Sequence, residues 1–299
     1  MLTMWVAGQA VSVIGVVLLG SGVGFVAGMF GVGGGFLLTP LLSVAFGIPL
    51  PIAIGTGLCQ MIGTALVALL RHRAIGQGEI RFDLLMLPGC LLGVDAGTRL
   101  LASLAAGGTV AIGGRTIALV TLVVDALYVT LLAATALLFW RQGGASGRIP
   151  EQPQPGALAR LRLGPAVDLP HVPLRQVSAI VIAEIGLGLG LLSGLLGIGG
   201  GVALMPVLIY GFGFPIRQAA GTGIFVLLAT ALLGTALHAQ HDHVDLRLAM
   251  ALLVGSTISA QLGALSTRRL SPRTLRRVFA FILLATAAAV LWDLSRRFG

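Results

Sequence analysis

Eight apolar runs dominate the sequence, and each has about the length needed to cross a bilayer. Roughly 20 apolar residues span the hydrocarbon core as a helix. Only 10% of the 299 residues are charged and 57% are hydrophobic, whereas soluble domains carry about 25% charged residues. The chain must therefore meet lipid, and the sequence predicts an all-α integral membrane protein. The eight runs are residues 4–30, 52–70, 84–105, 116–140, 177–197, 218–237, 246–267 and 278–294.

Two shorter apolar runs, residues 36–48 and 202–214, each follow a glycine cluster and contain a proline. A 13-residue helix rises only about 20 Å, whereas the hydrocarbon core is about 30 Å thick. We therefore predict two half-helices, shaped by Pro40 and Pro206, each entered through a glycine-rich break. The helix count stays between eight and ten, because hydropathy alone does not decide whether a short run is a separate element.

An internal repeat organises the chain. Residues 22–97, placed over residues 188–263 without a gap, share 25 identities in 76 positions. Each half therefore holds about five helical elements. The predicted regions are a first membrane repeat over residues 1–140, a Pro- and Arg-rich linker over 141–175 and a second membrane repeat over 176–299.

The placement of arginine predicts how the two halves are oriented. All 19 basic residues are Arg, and 13 of them lie in residues 71–81, in the linker and in residues 268–277. Basic residues in short loops favour the cytoplasm. An inverted arrangement puts all three segments on one side of the membrane, whereas a parallel arrangement splits them. We therefore predict two inverted repeats and a cytoplasmic linker.

Other features exclude several classes of protein. The net charge of +9 comes from arginines scattered between apolar runs, so no basic face for nucleic acid is expected. No G-x-x-x-x-G-K-[ST] sequence occurs, which excludes that nucleotide-binding loop. Cys59 and Cys90 lie inside apolar runs and are too few for a disulfide framework. Residues 1–30 contain no Lys or Arg, so we expect a retained membrane segment rather than a cleaved signal peptide.

The two glycine clusters are the main candidates for a substrate site. Glycine disfavours a helix by about 1 kcal/mol, so the clusters predict unwound backbone, which lipid tolerates only where protein or a water-filled cavity satisfies it. A helix N-terminus binds anions through free N–H groups and a partial positive charge. Two such ends near the midplane are typical of transporters. Close helix packing by small residues is the alternative, but both clusters are followed by a proline and a short helix. The candidates are Gly33, Gly34, Gly35, Gly199, Gly200 and Gly201.

Polar residues just after the breaks are further candidates for substrate binding. The G-T-G sequences at 55–57 and 221–223 place Thr56 and Thr222 at the start of the third element of each half. Gln60 shares a helical face with Thr56, so a hydroxyl and an amide could line one cavity. Alternatively, the hydroxyls bond back to their own helix carbonyls.

Charged residues within apolar segments are costly in lipid and are candidates for function. Asp95 and Arg99 are spaced i, i+4, so they either neutralise each other or serve ion coupling and anion attraction. Asp95 aligns with Gln261 across the repeat, which favours a cavity role for both. Arg217 is a second candidate for attracting an anion.

A histidine cluster gives only a weak metal-binding pattern. His238, His241 and His243 form H-x-x-H-x-H, but the first half keeps only His72. We expect no metal and no cofactor. No order of Ser, His and Asp and no paired carboxylates indicate a hydrolase, so the chain is not expected to be an enzyme.

The motifs of both halves resemble those of the sulfite exporter TauE/SafE family, also called toluene sulfonate uptake permeases. The likeness rests on G-x-G-G-G before a Pro-Leu-like pair, then G-hydrophobic-P and A-hydrophobic-G-T, across residues 20–297 outside the linker. It implies a multi-pass carrier of the bacterial inner membrane that moves a small sulfur-containing anion such as sulfite, a sulfonate or sulfoacetate, driven by a proton or sodium gradient. Members often have G-T-S where this chain has Gly57 and Gly223, so any contact of that serine does not transfer.

Two rival functions stay open at this point. A cation-coupled carrier of a cation or another small organic acid would need clustered carboxylates, and only Asp95, Asp125 and Glu184 are available within the apolar runs. A membrane accessory subunit without transport explains small-residue packing but not duplicated unwound segments. The expected partners are the anion, the bilayer and a coupling ion, with a homodimer left open and nucleic acid excluded.

Overall fold

The structure is a computed structural model that describes residues 3–30, 33–74, 78–112, 115–144, 156–169, 172, 174–266 and 272–298. Helices form most of it. The helices are α1 (Val13–Phe30), α2 (Gly35–Phe46), α3 (Leu50–Ala74), α4 (Ile80–Ala106), α5 (Leu119–Gly144), α6 (Ala179–Leu196), α7 (Gly201–Pro206), α8 (Ile216–Gly221), α9 (Ile224–Ala239), α10 (Leu246–Ser266) and α11 (Pro272–Phe298).

Seven of these helices are long and apolar enough to cross a membrane. They are α1, α3, α4, α5, α6, α10 and α11, and shorter apolar helices cover Gly35–Phe46, Gly201–Phe212 and Ile224–Ala239. The prediction of an all-α integral membrane protein is confirmed. The sequence predicted eight long spans, whereas the described residues contain seven. The run 218–237 accounts for the difference.

The run 218–237 is not one helix, because it breaks at Thr222 and Gly223 between α8 and α9. Gly223 has a φ of 88°, a left-handed conformation that glycine adopts without strain. The corresponding segment of the first half is the unbroken helix α3. The two halves therefore differ in backbone at a place where their G-T-G sequences are identical.

The run 4–30 begins as a β-hairpin rather than as a helix. Strands β1 (Thr3–Val6) and β2 (Gln9–Ser12) pair around a turn in which Ala7 and Gly8 both have positive φ, the conformation that two-residue hairpin turns require. Two further hairpins cover β3 (Thr109–Ile112) with β4 (Arg115–Ala118), and β5 (Ala166–Leu169) with β6 (Leu174–Ser178).

The two halves interlock through stripes of glycine. Helix α1 packs on α10, and α6 packs on α4. A methyl group built on Gly20 would lie 2.6 Å from the Leu252 carbonyl oxygen, and the equivalent glycine of α6 approaches Met86 in the same way. Small residues spaced four apart let helix backbones come this close. The repeating glycines are Gly20, Gly24 and Gly28 in α1, and Gly186, Gly190 and Gly194 in α6.

Helices α5 and α11 pack against each other and close the remaining side of the core. Phe279 of α11 contacts Phe30, Phe36 and Phe139, with ring centroids 4.4–5.9 Å apart. The hydroxyl of Tyr128 in α5 donates to the carbonyl oxygen of Leu196, at the end of α6. These contacts hold α5 and α11 beside the two glycine-rich breaks.

Candidate functional site

Both predicted half-helices are present, and their entry geometry is almost identical. Gly34 precedes α2 with φ 78° and ψ −17°, and Gly200 precedes α7 with φ 77° and ψ −17°. Only glycine enters the left-handed region without a Cβ penalty. Pro40 lies inside α2, and Pro206 ends α7, which continues directly as a π-helix over Val207–Phe212.

The two glycine-rich breaks meet each other. A methyl group built on Gly35 would lie 2.5 Å from the carbonyl oxygen of Gly197. Gly33 and Gly199 face the same two side chains, Met61 and Leu227, which are themselves equivalent positions of the repeat. Met61 and Leu227 are both buried. The structure therefore brings together the glycines that the sequence singled out, with two flexible apolar side chains between them.

The G-T-G threonines connect each half to the other half. Thr56 Oγ1 accepts a hydrogen bond from the backbone N–H of Asp245 at 3.0 Å, and Thr222 Oγ1 accepts one from Glu79 N–H at the same distance. Asp245 and Glu79 immediately precede α10 and α4. The hydroxyl oxygens thus serve the N-terminus of a helix in the opposite half. Thr222 lies at the break before α9, whereas Thr56 lies inside the unbroken helix α3.

Two further hydrogen bonds occur at the second G-T-G sequence. The Gly78 N–H donates to Gln218 Oε1 at 3.0 Å, and the Gly223 N–H donates to Asp83 Oδ1 at 2.7 Å. Asp83 is buried in the first turn of α4. Sequence reasoning missed Asp83, whose only signal is a carboxylate at the start of an apolar helix, where the repeat has Ala249.

Gln60 of α3 is buried in the core. Its Nε2 donates to Ser256 Oγ at 2.6 Å, and Gln60 is only 1% exposed. Within the described part of the chain, Gln60 Oε1 has no hydrogen-bond partner. An unsatisfied buried amide oxygen is costly, so this atom is a candidate ligand-binding group.

A small cavity, with room for about one water-sized group, lies on the second-half side of the breaks. Its polar walls come from both halves, because α4 packs against α6 and α9. Ser193 Oγ is buried and has no hydrogen-bond partner among the described residues. The lining includes Cys90, Ser193, Gly199, Gly200, Gly223 and Thr230.

Comparison with known proteins identifies the family. The family model described as "Sulfite exporter TauE/SafE" matches residues 16–290, which is nearly the whole chain. The chain belongs to the TauE/SafE family. It is therefore a multi-pass membrane transporter and not an enzyme.

Relatives of this TauE/SafE protein carry names of the same kind. A "Probable membrane transporter protein" of Xylella fastidiosa (strain 9a5c) is 32% identical over 286 residues, which are 93% of this chain and 95% of that protein. The "Probable membrane transporter protein YjnA" of Bacillus subtilis is 30% identical, covering 93% of this chain and 99% of its own length. The Methanocaldococcus jannaschii protein MJ0441, of the same description, is 23% identical over 281 residues. No solved structure matches the chain.

Three predicted site residues of this TauE/SafE protein lie away from the breaks. Arg99 Nε and Asp95 Oδ2 form an ion pair at 3.0 Å, with the Arg99 side chain 77% exposed. Gln261 is exposed on α10 beside the exposed Ile258 and Leu262. The i, i+4 spacing of Asp95 and Arg99 therefore corresponds to an ion pair on the exposed face of α4. The side chain of Arg217 lies outside the described part of the structure.

Two histidines of the H-x-x-H-x-H sequence of this TauE/SafE protein, His238 and His243, lie beside each other at the C-terminal end of α9. His238 is fully buried, and its Nε2 lies 3.0 Å from the Gly194 carbonyl oxygen. His238 Nδ1 lies 3.5 Å from His243 Nδ1. Among the residues that the structure describes, no three His, Cys, Asp or Glu side chains come close enough together to hold a metal ion.

Proposed function

We propose that this TauE/SafE protein is a secondary transporter that exports a small sulfur-containing anion, such as sulfite, a sulfonate or sulfoacetate, across the bacterial inner membrane. The observation that carries the proposal is the pair of breaks at Gly34 and Gly200, with matching backbone angles and direct contact between their flanking glycines. In this proposal the anion binds at these breaks and is released to either side by alternating access.

The chemistry of the breaks suits an anion. The first N–H groups of a helix lack intrahelical partners and carry a partial positive charge. Helix α2 has 12 residues, enough to present such an end without any charged side chain. Thr56 and Thr222 hold the neighbouring backbone. Such a site binds an anion by oriented dipoles and can release it, because no fixed positive charge retains it.

Inverted repeats are part of this proposal, and the packing supports them. A methyl group on Gly15 would lie 3.2 Å from the ring of Phe46, so α2 folds back along α1. After α2 the chain crosses again as α3 and returns as α4, which makes α1 and α4 antiparallel. Helix α4 runs parallel to α6, since Gly89, Gly93 and Gly97 meet successive turns of α6. It follows that α6 runs opposite to its repeat equivalent α1.

Two related expectations also belong to the proposal. The arginine-rich linker over 141–175 lies in the cytoplasm, because it and two other arginine-rich segments then share one side. Transport is coupled to a proton or sodium gradient. Asp95 and Arg99 were the expected coupling groups, but their exterior ion pair makes the buried Asp83, bonded to Gly223 of the cavity wall, the better candidate.

The experiment is flux in proteoliposomes that contain the purified protein. Sulfite, methanesulfonate and sulfoacetate are tested with and without an imposed pH or sodium gradient. Gradient-dependent flux of any of these anions supports the proposal. Absence of flux for all three, in protein that is folded by its thermal unfolding curve, contradicts it. Flux of a cation without an anion would instead establish the rival carrier.

A further inference from the structure

The two halves of the chain are not chemically equivalent where they flank the breaks. In the cavity of the second half, Ser193, Val226 and Cys90 line the wall. The same repeat positions in the first half are Ala27, Gln60 and Ser256. The backbone is repeated, but the polar groups beside it are different.

In the first half, the polar groups satisfy each other in part. Gln60 Nε2 donates to Ser256 Oγ at 2.6 Å, so the amide side chain extends across the place that corresponds to the gap between Val226 and Cys90. In the second half, the shorter Val226 and the thiol of Cys90 leave space between them. A water-sized polar group therefore finds room in the second half where the first half has an amide.

Ser193 is the group in this cavity that most needs a ligand. It is 1% exposed, lines the cavity, and its Oγ has no hydrogen-bond partner within the described residues. Leaving a buried hydroxyl unpaired is unfavourable, and an anionic oxygen is a strong acceptor for it. Thr230 Oγ1, by contrast, already donates to the Leu227 carbonyl at 3.0 Å.

We propose that the anion binds on one side of the breaks only, in the second-half cavity, where Ser193 Oγ donates a hydrogen bond to an anionic oxygen beside Cys90. This inference rests on the proposed function and adds which half of the repeat holds the ligand. The size of the cavity restricts the ligand. The cavity has room for about one water-sized group, so one oxygen of the ligand enters it, and the fitting class is a small oxyanion such as sulfite or a short-chain sulfonate.

The repeat itself supplies matched variants for the test. Ser193→Ala gives the second half the residue of the first, and Ala27→Ser makes the reverse change as a control. The double variant Val226→Gln/Cys90→Ser rebuilds the Gln60–Ser256 pair inside the cavity, so it fills the space with an amide whose nitrogen has its partner. The backbone carbonyl of Ser193, which accepts from the Gly197 N–H, is unaffected by these changes.

The experiment measures equilibrium binding of radiolabelled sulfite, with methanesulfonate and sulfoacetate as competitors, to purified protein in lipid nanodiscs. We expect Ser193→Ala to raise Kd at least about tenfold, the usual loss for a hydrogen bond to a charged group. The double variant should lose binding, and Ala27→Ser should change Kd less than about twofold. The unfolding temperature of each variant shows that it is folded.

The outcomes separate this inference from the proposed function. Wild-type affinity in both Ser193→Ala and the double variant would overturn the one-sided site while leaving anion transport in place. Equal weakening by Ala27→Ser and Ser193→Ala would also overturn it, since both halves would then contribute. Failure of the wild type to bind or move any of the three anions would overturn the inference together with the proposed function.

Discussion

The hydroxyl oxygen of Thr222 accepts a hydrogen bond from the backbone N–H of Glu79 at 3.0 Å. Thr56 and Asp245 form the same bond with the halves exchanged. Each half therefore places a threonine at the start of a long helix of the other half, where helix N–H groups need acceptors. Together with the exchanged glycine stripes of α1 and α6, these bonds make the two halves depend on each other for folding.

Replacing Thr222 tests that dependence. Thr222→Val keeps the shape of the side chain but removes the acceptor of a buried N–H. We expect the free energy of unfolding to fall by about 1–3 kcal/mol. Thermal unfolding in detergent measures the loss, and Thr222→Ser, which keeps the hydroxyl, should retain most of the stability. Unchanged stability in Thr222→Val together with a loss in Thr222→Ser would show that the methyl group, not the hydrogen bond, matters.

The glycine stripe of α6 predicts opposite effects for two neighbouring glycines. A methyl group on Gly190 would lie well inside van der Waals contact with the Cys90 backbone, whereas one on Gly188 would meet nothing within 4 Å. Gly190→Ala must push α6 away from α4, so we expect a loss of several kcal/mol, of the size seen when cores are overpacked. Gly188→Ala should stabilise the helix by up to about 1 kcal/mol. Unfolding temperatures of the two variants that shift in the same direction would contradict this packing.

The sequence predicted the breaks well, because glycine clusters, a following proline and a short apolar run are local signals. The predicted runs 36–48 and 202–214 correspond to Gly35–Phe46 and Gly201–Phe212. The stripe Gly186, Gly190 and Gly194 is also visible in the sequence, but its partner α4 is not, because a single sequence does not show which helices touch.

Other features depend on contacts that are distant in the sequence. The break at Gly223 could not be predicted from G-T-G, since the identical residues 55–57 lie in an unbroken helix. The difference coincides with Asp83, which accepts a hydrogen bond from the Gly223 N–H. The equivalent position of the second half is Ala249, which has no such acceptor. The hairpin ahead of α1 was missed because its residues are apolar and hydropathy does not distinguish a strand from a helix.

Asp83 and Asp95 lie on the same helix and should respond differently to removal. Asp83→Ala leaves the Gly223 N–H without its carboxylate at a buried position, and we expect a loss of about 1–3 kcal/mol. Asp95→Ala removes the ion pair with the exposed Arg99, whose long side chain can reach toward water at the membrane surface, so we expect a smaller loss. Chemical unfolding of both variants under one condition measures the difference. A larger loss for Asp95 would mean that it has a partner beyond Arg99.

Of the two break positions, Gly200 gives the clearer transport test, because a side chain there disturbs the packing less. A methyl group there would meet only Leu189, at 3.9 Å, whereas on Gly34 it would meet Val23 and Ala27 at 3.0–3.1 Å. Gly200→Leu therefore costs chiefly the left-handed backbone, about 1–2 kcal/mol, and should abolish flux in folded protein. Gly34→Leu should also abolish flux, with a larger loss of stability. Normal flux in Gly200→Leu would exclude the breaks as the binding site.

The loop between α9 and α10 predicts a pH dependence of stability. Burial lowers the pKa of His243, and the nearby His241 lowers it further, although Asp242 opposes the shift. The unfolded chain takes up this proton near pH 6.5, whereas the folded chain resists it, so the stabilising contribution is complete above pH 6.5 and is lost as the pH falls. Between pH 7.5 and 5 we expect the unfolding temperature to fall less in His243→Gln than in the wild type. The backbone N–H of residue 243, which donates to the His238 carbonyl at 3.0 Å, is unaffected by this substitution. If the unfolding temperature falls equally steeply with pH in the variant and the wild type, the acid sensitivity belongs to other groups.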